Sequence, residues 1–347
     1  MAATPLRIVV DGMGSDNAPG PELRGVVEAS LKTDAEIILV GDEALLKAGL
    51  AKFPKKGAIS VVHASQRIAM HDSPMAAVRQ KKDASILVGL RLVKEGRAHG
   101  FISAGNTGAV MLGSRVVLGP IRGVSRSAIC QILPTAQNPV VILDLGANVD
   151  CSARHLSEFA EMGQIFSQLV MEVPHPRVGL LNIGEEQSKG NEVAKTVHKS
   201  LTESDHIQFI GNIEPKAIFQ GKADVVVCDG FVGNVILKTS ESVASLMKTM
   251  IERELKATLL SKIGALLSIG AFRRIKKTTD PNEYPGAPLL GVNGIVIILH
   301  GSCTHQGVCN GVLGVQRFVS LGLNEKIRHA IETLRAAERP APAGTPS

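Results

Sequence analysis

Five segments of the sequence combine glycine with polar side chains directly after a short apolar run. They are Asp11-Gly-Met-Gly-Ser-Asp16, Ser103-Ala-Gly-Asn-Thr-Gly108, Asp144-Leu-Gly-Ala-Asn148, Asn182-Ile-Gly-Glu-Glu186 and Asp229-Gly-Phe-Val-Gly-Asn234. Glycine lets backbone N–H groups point at an anion, and in open parallel sheets such loops lie beyond the carboxyl ends of the strands. One such segment is more often a tight turn, but five at the same kind of position predict a common rim that binds an anion.

The predicted ligand groups in these loops are amides, hydroxyls, carboxylates and backbone N–H groups. Asn106 and Thr107 precede a predicted helix, whose dipole favours anion binding. The alternative is that one of them only caps that helix. The other candidates for substrate contact are Gly12, Gly14, Asp16, Ser103, Gly105, Asn148, Asn182, Gly184, Asp229 and Asn234.

Two cationic side chains lie at comparable positions. Lys189, within Gln187-Ser-Lys-Gly-Asn191, is at a predicted strand-to-helix turn, and His300 follows an uncharged strand directly. Either could offset the charge of a bound anion. The alternatives are an ordinary exposed lysine and a histidine that is buried or caps a loop.

The sequence lacks the familiar nucleotide, hydrolase and metal motifs. A dinucleotide fingerprint at Gly12-x-Gly14 would need a third glycine at Asn17, and the only Gly-Lys pair, Gly221-Lys222, lacks the rest of a P-loop. There is no G-x-S-x-G elbow and no H-E-x-x-H, and the five cysteines form no CxxC pair. We therefore expect an enzyme without metal or other cofactor.

The composition indicates an ordinary globular protein, with 347 residues, 44% hydrophobic and 20% charged. Trp is absent and Tyr occurs once, which disfavours a stacking platform for nucleic acid. An odd cysteine count without a signal peptide suggests reduced thiols. No run of about 18 uncharged apolar residues occurs. These features predict a cytoplasmic protein.

Apolar runs alternate with helical patterns, which predicts a three-layer α/β/α fold with a mostly parallel sheet. Strands are expected at 6–10, 37–40, 59–62, 100–103, 127–133, 139–143, 178–183, 207–210, 224–228 and 294–299. Helices are expected at 21–31, 43–52, 85–95, 108–118, 154–170, 191–201 and 234–254 and in the C-terminal part. Without repeats or low-complexity linkers, residues 1–338 are predicted to form one two-lobed catalytic domain, and 339–347 a disordered tail.

A basic amphipathic segment extends over about residues 235–277. Residues 248–277 hold eight basic and two acidic side chains, and their net charge of +6 equals the net charge of the whole chain. A stripe of apolar residues recurs there at helical period: Leu255, Leu259, Ile263, Leu266 and Leu267. The default interpretation is a core or dimer-interface helix. The alternatives are a helix that lies on anionic lipid with Arg273 and Arg274, or a surface that binds an acidic protein.

Eight ordered segments between about residues 6 and 335 resemble the bacterial phosphate acyltransferase (PlsX) family. Besides the five loops above they are Gly211-Asn-Ile-Glu214, Gly286-Ala-Pro-Leu-Leu-Gly291 and His300-Gly-Ser302. The resemblance implies a fold similar to phosphate acetyltransferases and isocitrate-type dehydrogenases, a homodimer, and no metal or nucleotide. It implies transfer of a fatty acyl group from acyl carrier protein to inorganic phosphate for phospholipid synthesis. It also favours contact of the basic segment with the inner face of the cell membrane, where a membrane glycerol-3-phosphate acyltransferase uses the acyl phosphate.

This chemistry suits the residues present. Phosphate is already an anionic nucleophile, and a thiol with a pKa of about 8.5 leaves readily, so neither a strong base nor a metal is required. We expect the loops at 12–16, 103–107 and 182–191 to bind phosphate, and Lys189 or His300, with Asn106 and Asn234, to stabilise the developing charge.

Two rival functions remain from the sequence. The first is a phosphotransacetylase that uses coenzyme A on the same fold. The second is a non-catalytic module that binds nucleic acid or another anion through the basic segment. The five polar loops disfavour the second, because such a module would not need them, and no nucleic-acid partner is expected.

Overall fold

The structure is a computed structural model that describes residues 5–337, so the predicted tail at 339–347 lies outside the described residues. Eleven strands are described: β1 (Arg7–Asp11), β2 (Glu36–Gly41), β3 (Ile59–His63), β4 (Gly100–Ser103), β5 (Ala128–Leu133), β6 (Val140–Leu143), β7 (Val178–Leu181), β8 (Phe209–Ile213), β9 (Val225–Val227), β10 (Ala287–Leu290) and β11 (Ile295–Ile298).

Thirteen α-helices are described between and after these strands, with a 3₁₀ turn at Pro281–Glu283. They are α1 (Gly20–Ser30), α2 (Glu43–Leu50), α3 (Pro74–Gln80), α4 (Ser85–Lys94), α5 (Thr107–Val117), α6 (Ala153–Val170), α7 (Glu192–Thr202), α8 (Pro215–Phe219), α9 (Gly230–Ala257), α10 (Leu259–Leu267), α11 (Ile269–Thr279), α12 (His305–Ser320) and α13 (Leu323–Ala337).

All eleven strands form one sheet in the order β3-β2-β1-β4-β11-β10-β5-β6-β9-β7-β8. The strands from β3 to β11 run parallel to one another, and so do those from β6 to β8. Three antiparallel pairings, β11–β10, β10–β5 and β5–β6, lie between these two groups. An odd number of reversals makes the two parallel halves point in opposite directions.

Side chains alternate between the two faces of each strand, and each face carries its own hydrophobic core. Ile8 and Val10 belong to one core, together with residues of α1, α6, α12 and α13. Val9, between them, belongs to the other core, with residues of α4, α5 and α8. Helices therefore cover both faces, and the predicted three-layer α/β fold with a mostly parallel sheet is confirmed.

Most predicted elements are present, with shifted ends. Three elements were not predicted: the short helices α3 and α8, and β10. Pro288 lies inside β10, and proline in an apolar run argues against a strand. The single domain over residues 1–338 is compatible with the continuous sheet and stays a prediction.

The basic amphipathic segment is longer than expected. It forms three consecutive helices, because α9 begins at Gly230 instead of Asn234 and the helical path continues through α10 and α11 to Thr279. Asp229 caps α9 by accepting a hydrogen bond from Val232 N. We call the exposed part of these helices, residues 240–279, the arm.

Candidate active site

The predicted loops lie at two opposite edges of the sheet. The loops that follow β1, β4 and β11 meet at one edge, which we call the first edge. Those that follow β6, β9 and β7 meet at the opposite, second edge, because the three antiparallel pairings reverse the strand direction between the halves. The prediction of one common rim is therefore wrong for a single chain.

Asp11 and Ser103 form the buried base of the first edge, and each is 1% exposed. Ser103 Oγ donates to Asp11 Oδ2 at 2.7 Å and accepts from Gly105 N at 3.0 Å. Burial raises the pKa of the Asp11 carboxyl, although the hydrogen bond from Ser103 acts in the opposite direction. The predicted role of Ser103 as a direct phosphate ligand is not supported, because its hydroxyl is used to fix the loop.

Glycine at position 14 lets the loop after β1 touch the loop after β4. A Cβ atom on Gly14 would lie 2.7 Å from Gly105 N and 2.8 Å from Asp11 Oδ2, closer than real Cβ contacts. Gly105 is also buried at this contact, whereas Gly12 is buried against Leu46, and its N–H donates to Val40 O at 2.8 Å. These glycines therefore have a structural role in loop packing, because they carry no side chain that could contact a substrate.

Asn106 has all of its amide hydrogen-bonding groups engaged. Its Oδ1 accepts from Ala109 N at 3.0 Å, so it caps α5, and its Nδ2 donates to Met70 O at 3.0 Å and Asp72 O at 3.1 Å. A third, longer hydrogen bond of 3.3 Å reaches Ala69 O. The side chain therefore ties the segment 64–84 to the first edge, which makes Asn106 a positioning residue and not a free amide donor.

The loop after β11 joins the other two loops through backbone hydrogen bonds. Leu299 N donates to Ser103 O at 2.9 Å, and Asp16 N donates to Gly301 O at 2.8 Å. His300 is exposed, and its Nδ1 lies 2.8 Å from Ser302 Oγ and accepts from Ser302 N at 3.2 Å. Nε2 has no hydrogen bond in the described chain, so it is available to a ligand.

The segment 64–84 brings two further candidate ligand groups, the Arg67 guanidinium and the His71 imidazole, to this edge. Arg67 donates from its guanidinium to Ser15 O at 3.0 Å, and Met70, which precedes His71, packs against Gly301. Both side chains are exposed. Sequence reasoning missed them because they lie in a long loop, which is held here by tertiary contacts of Asn106, Arg67 and Met70.

The exposed groups of the first edge suit an anionic ligand. Thr107, the first residue of α5, is exposed beside the partial positive charge of the helix N-terminus. With His300, Arg67 and His71 nearby, this edge offers a guanidinium, two imidazoles, a hydroxyl and backbone N–H groups around the three joined loops. Asp16 is also exposed there, and among the predicted site residues at this edge it alone carries a negative charge, which disfavours an anion.

At the second edge, the side chain of Asp144 lies within the loop after β6 and hydrogen-bonds to the backbone of that loop. Asp144 accepts hydrogen bonds from the backbone N–H groups of Ile129, Gly146, Ala147 and Asn148, at 2.7 to 3.2 Å, and from Asn148 Nδ2 at 2.9 Å. The N–H groups that were expected to bind a ligand are thus occupied. Gly230 N donates to Asn148 O at 2.7 Å, so this loop, with Asp229, anchors the start of α9.

The loop after β7 is likewise held internally. Asn182 Nδ2 donates to Lys189 O at 3.1 Å, and its Oδ1 accepts from Ile183 N at 2.8 Å. Gly184 is buried against the Lys189 side chain. Lys189 and Asn234 are exposed and make no side-chain hydrogen bond within residues 5–337, so both are available to a ligand at this edge. Within one chain they are not brought together with His300.

The arm presents apolar side chains to solvent. In α10 the exposed fractions are 76% for Leu259, 80% for Leu260, 69% for Leu266 and 83% for Leu267, and Ile263 is half exposed. Arg273 and Arg274 follow on α11 and are exposed. No helix among the described residues is long and apolar enough to span a membrane.

The arm rejoins the body beside the His300 loop. Asn282 Oδ1 accepts from Thr304 N at 3.0 Å and from Thr304 Oγ1 at 3.1 Å. The return point of the arm is therefore at the first edge. No group of three His, Cys, Asp or Glu side chains arranged to hold a metal ion occurs in the part of the chain that the structure describes.

Comparison with known proteins gives consistent matches over nearly the whole chain. A family model described as a fatty acid synthesis protein matches residues 6–326. A phosphate acyltransferase of Acidobacterium capsulatum is 44% identical over 323 residues, covering 92% of this chain and 95% of that protein. A phosphate acyltransferase of Heliobacterium modesticaldum is 47% identical over 335 residues, covering 94% and 99%.

The fold is similar to that of solved acyl-transferring enzymes. A phosphotransacetylase from Streptococcus pyogenes matches with a TM-score of 0.57 at 16% sequence identity, covering 95% of each chain. At this identity the similarity shows a shared fold, as the sequence led us to expect.

Proposed function

This chain belongs to the fatty acid synthesis protein family, whose relatives are phosphate acyltransferases, and we propose that it transfers a fatty acyl group from acyl carrier protein to inorganic phosphate. It is an acyltransferase with phosphate as the acceptor, acting in phospholipid synthesis. The carrier protein as acyl donor is our inference, which rests on the family and its role in fatty acid and phospholipid synthesis.

The observation that carries this proposal is the junction of three loops at the first edge. Gly14 packs on Gly105 N, and the backbone hydrogen bonds from Leu299 and Asp16 join the same loops to the His300 loop. We expect a phosphate ion bound over this junction to contact His300 Nε2, the Thr107 hydroxyl and the N-terminus of α5. Such a site favours a small anion over a neutral ligand.

The reaction requires little beyond positioning and charge stabilisation. An oxygen of phosphate attacks the thioester carbonyl, a carbon–oxygen bond forms, and the carbon–sulfur bond breaks to release a thiolate that takes a proton from water. Groups that stabilise the oxyanion lower the barrier most when they are held in place beforehand. Asp11, Ser103 and Asn106 hold the loops, so His300 and Thr107 are the side chains that we expect to touch the reacting groups.

A phosphate-dependent transfer assay tests this function. Purified protein is incubated with long-chain acyl carrier protein or with acetyl-coenzyme A, and acyl phosphate is trapped with hydroxylamine, with reactions lacking phosphate as the background. We expect turnover with the carrier protein, and a rate at least about tenfold lower in His300→Ala, the effect of about 1.4 kcal/mol of lost transition-state binding. His329→Ala, an exposed histidine on α13, is the control and should match the unaltered protein.

Turnover with acetyl-coenzyme A alone would instead support the phosphotransacetylase alternative. Binding to DNA with a steep salt dependence and no thioester turnover would support the nucleic-acid module.

We also propose that the protein is a homodimer and that α9 contributes to its interface. Val243, Leu246, Met247, Met250 and Ile251 recur at helical spacing on α9 and are 42 to 58% exposed. A second copy would cover this stripe, as a helix with an apolar face normally packs against another element.

The proposed homodimer determines whether Lys189 can contribute to the active site. Lys189 can act beside His300 only if a partner brings its second edge against this first edge. Mixing inactive His300→Ala and Lys189→Ala proteins tests this, since a shared site would restore activity in mixed dimers. Failure of two inactive variants to complement each other would place each site within one chain.

We further propose that α10 contacts the cytoplasmic face of an anionic membrane, with Arg273 and Arg274 near the headgroups. Leu259, Leu260, Leu266 and Leu267 are among the most exposed apolar residues of the described chain, and the flanking segment is basic. Apolar contact combined with cations is the property of interfacial helices. On this basis we propose that the protein is cytoplasmic and contacts the membrane peripherally.

A further inference from the structure

A buried acidic side chain contacts the glycine loop at the first edge. Glu22, in the first turn of α1, is 1% exposed, and its Oε1 accepts from Ser15 N at 2.9 Å. Ser15 is fully buried. Neither Glu22 Oε2 nor Ser15 Oγ has a hydrogen-bond partner in the described chain.

The charged surroundings of Glu22 are mostly negative. Asp11 is the second buried carboxyl behind the loop, and Asp16 lies on the same loop. Arg67 donates to Ser15 O and is the cation that faces Asp11. On the α12 side, the Cys303 thiol lies near Glu22, whereas His305 pairs with Glu28 at 3.8 Å.

This environment disfavours a second negative charge. An ionised carboxylate that is buried with one oxygen unpartnered is costly, whereas the neutral carboxyl is tolerated. Burial raises the pKa of Glu22, and the charge of Asp11 adds a smaller increase, while hydrogen bonding to Ser15 acts in the opposite direction. A bound phosphate would add further negative charge on the other side of the buried residues Gly14 and Ser15, where Coulomb interactions are less screened than in water.

We propose that Glu22 is a positioning residue of the phosphate site and that it takes up a proton when phosphate binds. This rests on the proposed function, because it requires phosphate at the first edge. The neutral carboxyl keeps its acceptor for Ser15 N and so holds the loop, while its charge no longer opposes the ligand. If Glu22 were only a structural tether, a neutral glutamine would behave identically at every pH.

Calorimetric titration with inorganic phosphate tests the proposal. The unaltered protein, Glu22→Gln and Glu28→Gln are titrated between about pH 6 and pH 8.5, in pairs of buffers that differ in ionisation enthalpy, so that the number of protons taken up is measured. Glu28 lies on the same helix but is more exposed and pairs with Lys32, which makes it the matched control. The second ionisation of phosphate itself contributes equally to all three proteins and cancels in the comparison.

We expect proton uptake in the unaltered protein and Glu28→Gln to exceed that of Glu22→Gln. As pH rises, the phosphate affinity of the unaltered protein and of Glu28→Gln should also weaken relative to that of Glu22→Gln. The difference should be up to about tenfold for each unit by which bound phosphate raises the pKa of Glu22. Ser15→Ala keeps the N–H donor but removes the hydroxyl near the carboxyl, so proton uptake should persist to higher pH. The KM for phosphate should follow the same pH dependence, with kcat much less affected.

The proposal would be overturned if Glu22→Gln took up as many protons as the unaltered protein and if the ratio of their phosphate affinities did not change with pH. The proposed function would remain intact. If the unaltered protein binds no phosphate and shows no phosphate-dependent transfer, both fall together. Ser15→Ala provides the test independently if Glu22→Gln does not fold.

Discussion

Ser103 Oγ donates a hydrogen bond of 2.7 Å to Asp11 Oδ2, and this bond joins the carboxyl ends of the neighbouring strands β4 and β1. Because the same Oγ accepts from Gly105 N, the hydroxyl connects the buried acid to the loop that starts α5. We therefore expect Ser103 to influence a bound ligand only through the loop that it holds.

Removing this hydroxyl should destabilise the protein. In Ser103→Ala the Asp11 carboxyl loses a buried donor, so we expect the free energy of unfolding to fall by about 1–3 kcal/mol, together with a loss of transfer activity. Urea denaturation measures the first. Ser114→Ala is the matched control, because Ser114 is also buried but its hydroxyl has no partner in the described chain. Equal losses in the two variants would contradict this role of Ser103.

The contact between two loops at Gly14 predicts strong sensitivity to a single methyl group. Gly14→Ala would place Cβ 2.7 Å from Gly105 N, so the loops must separate and the phosphate KM should rise at least about tenfold. Gly20→Ala is the control, since nothing lies within 4 Å of a Cβ there. Steady-state kinetics with varied phosphate measure both, and an unchanged KM in Gly14→Ala would argue against phosphate binding at this junction.

Asn106 should act through its amide nitrogen. Asn106→Asp keeps the oxygen that caps α5 but loses the donors to the carbonyls of residues 69, 70 and 72. We expect transfer activity to fall about tenfold or more, because residues 69–72 lose their hydrogen bonds to Asn106 and the position of the neighbouring His71 becomes less fixed. Asn191→Asp makes the same change at an asparagine that only caps α7, and it should retain activity within about twofold. Similar activities would show that the attachment is unimportant.

The buried Glu22 predicts a pH-dependent stability difference. Its folded-state pKa is raised, so the stability that the neutral carboxyl contributes is present at low pH and lost as pH rises through the folded pKa. Glu22→Gln cannot ionise. Its melting temperature should therefore equal that of the unaltered protein near pH 4 and exceed it increasingly towards about pH 8. A difference that stays constant over this range would be inconsistent with an elevated pKa.

The arm predicts membrane binding that is separable from phosphate binding. Leu266→Glu puts a charge on a 69% exposed residue of α10, so co-sedimentation with vesicles of anionic phospholipid should be lost while the phosphate KM is unchanged. Leu31→Glu changes a 60% exposed leucine on the body and should leave vesicle binding intact. Undiminished binding of Leu266→Glu, or equal loss in both variants, would remove the membrane proposal.

Local sequence patterns were sufficient for the fold class and for the residues that surround the strand ends. Apolar runs alternate with helical periods because each element must bury one face, so strands such as β1, β4 and β11 and most of the helices follow from nearby residues alone. The same patterns identified His300, Thr107 and the glycines of the first edge, since strand-end loops need small and polar residues.

Only the tertiary structure decided how these loops are grouped. Whether a strand pairs parallel or antiparallel depends on partners far away in the sequence, and β10, with its Pro288, carries no local strand signal. Because β10 is the first of the antiparallel strands that reverse the strand direction between the two halves, Lys189 and Asn234 lie at the opposite edge of the sheet from His300. Long-range contacts likewise turn Ser103 towards Asp11, bring residues 64–84 to Asn106, and bury Glu22 beneath Ser15, because side-chain environment is set by packing and not by spacing along the chain.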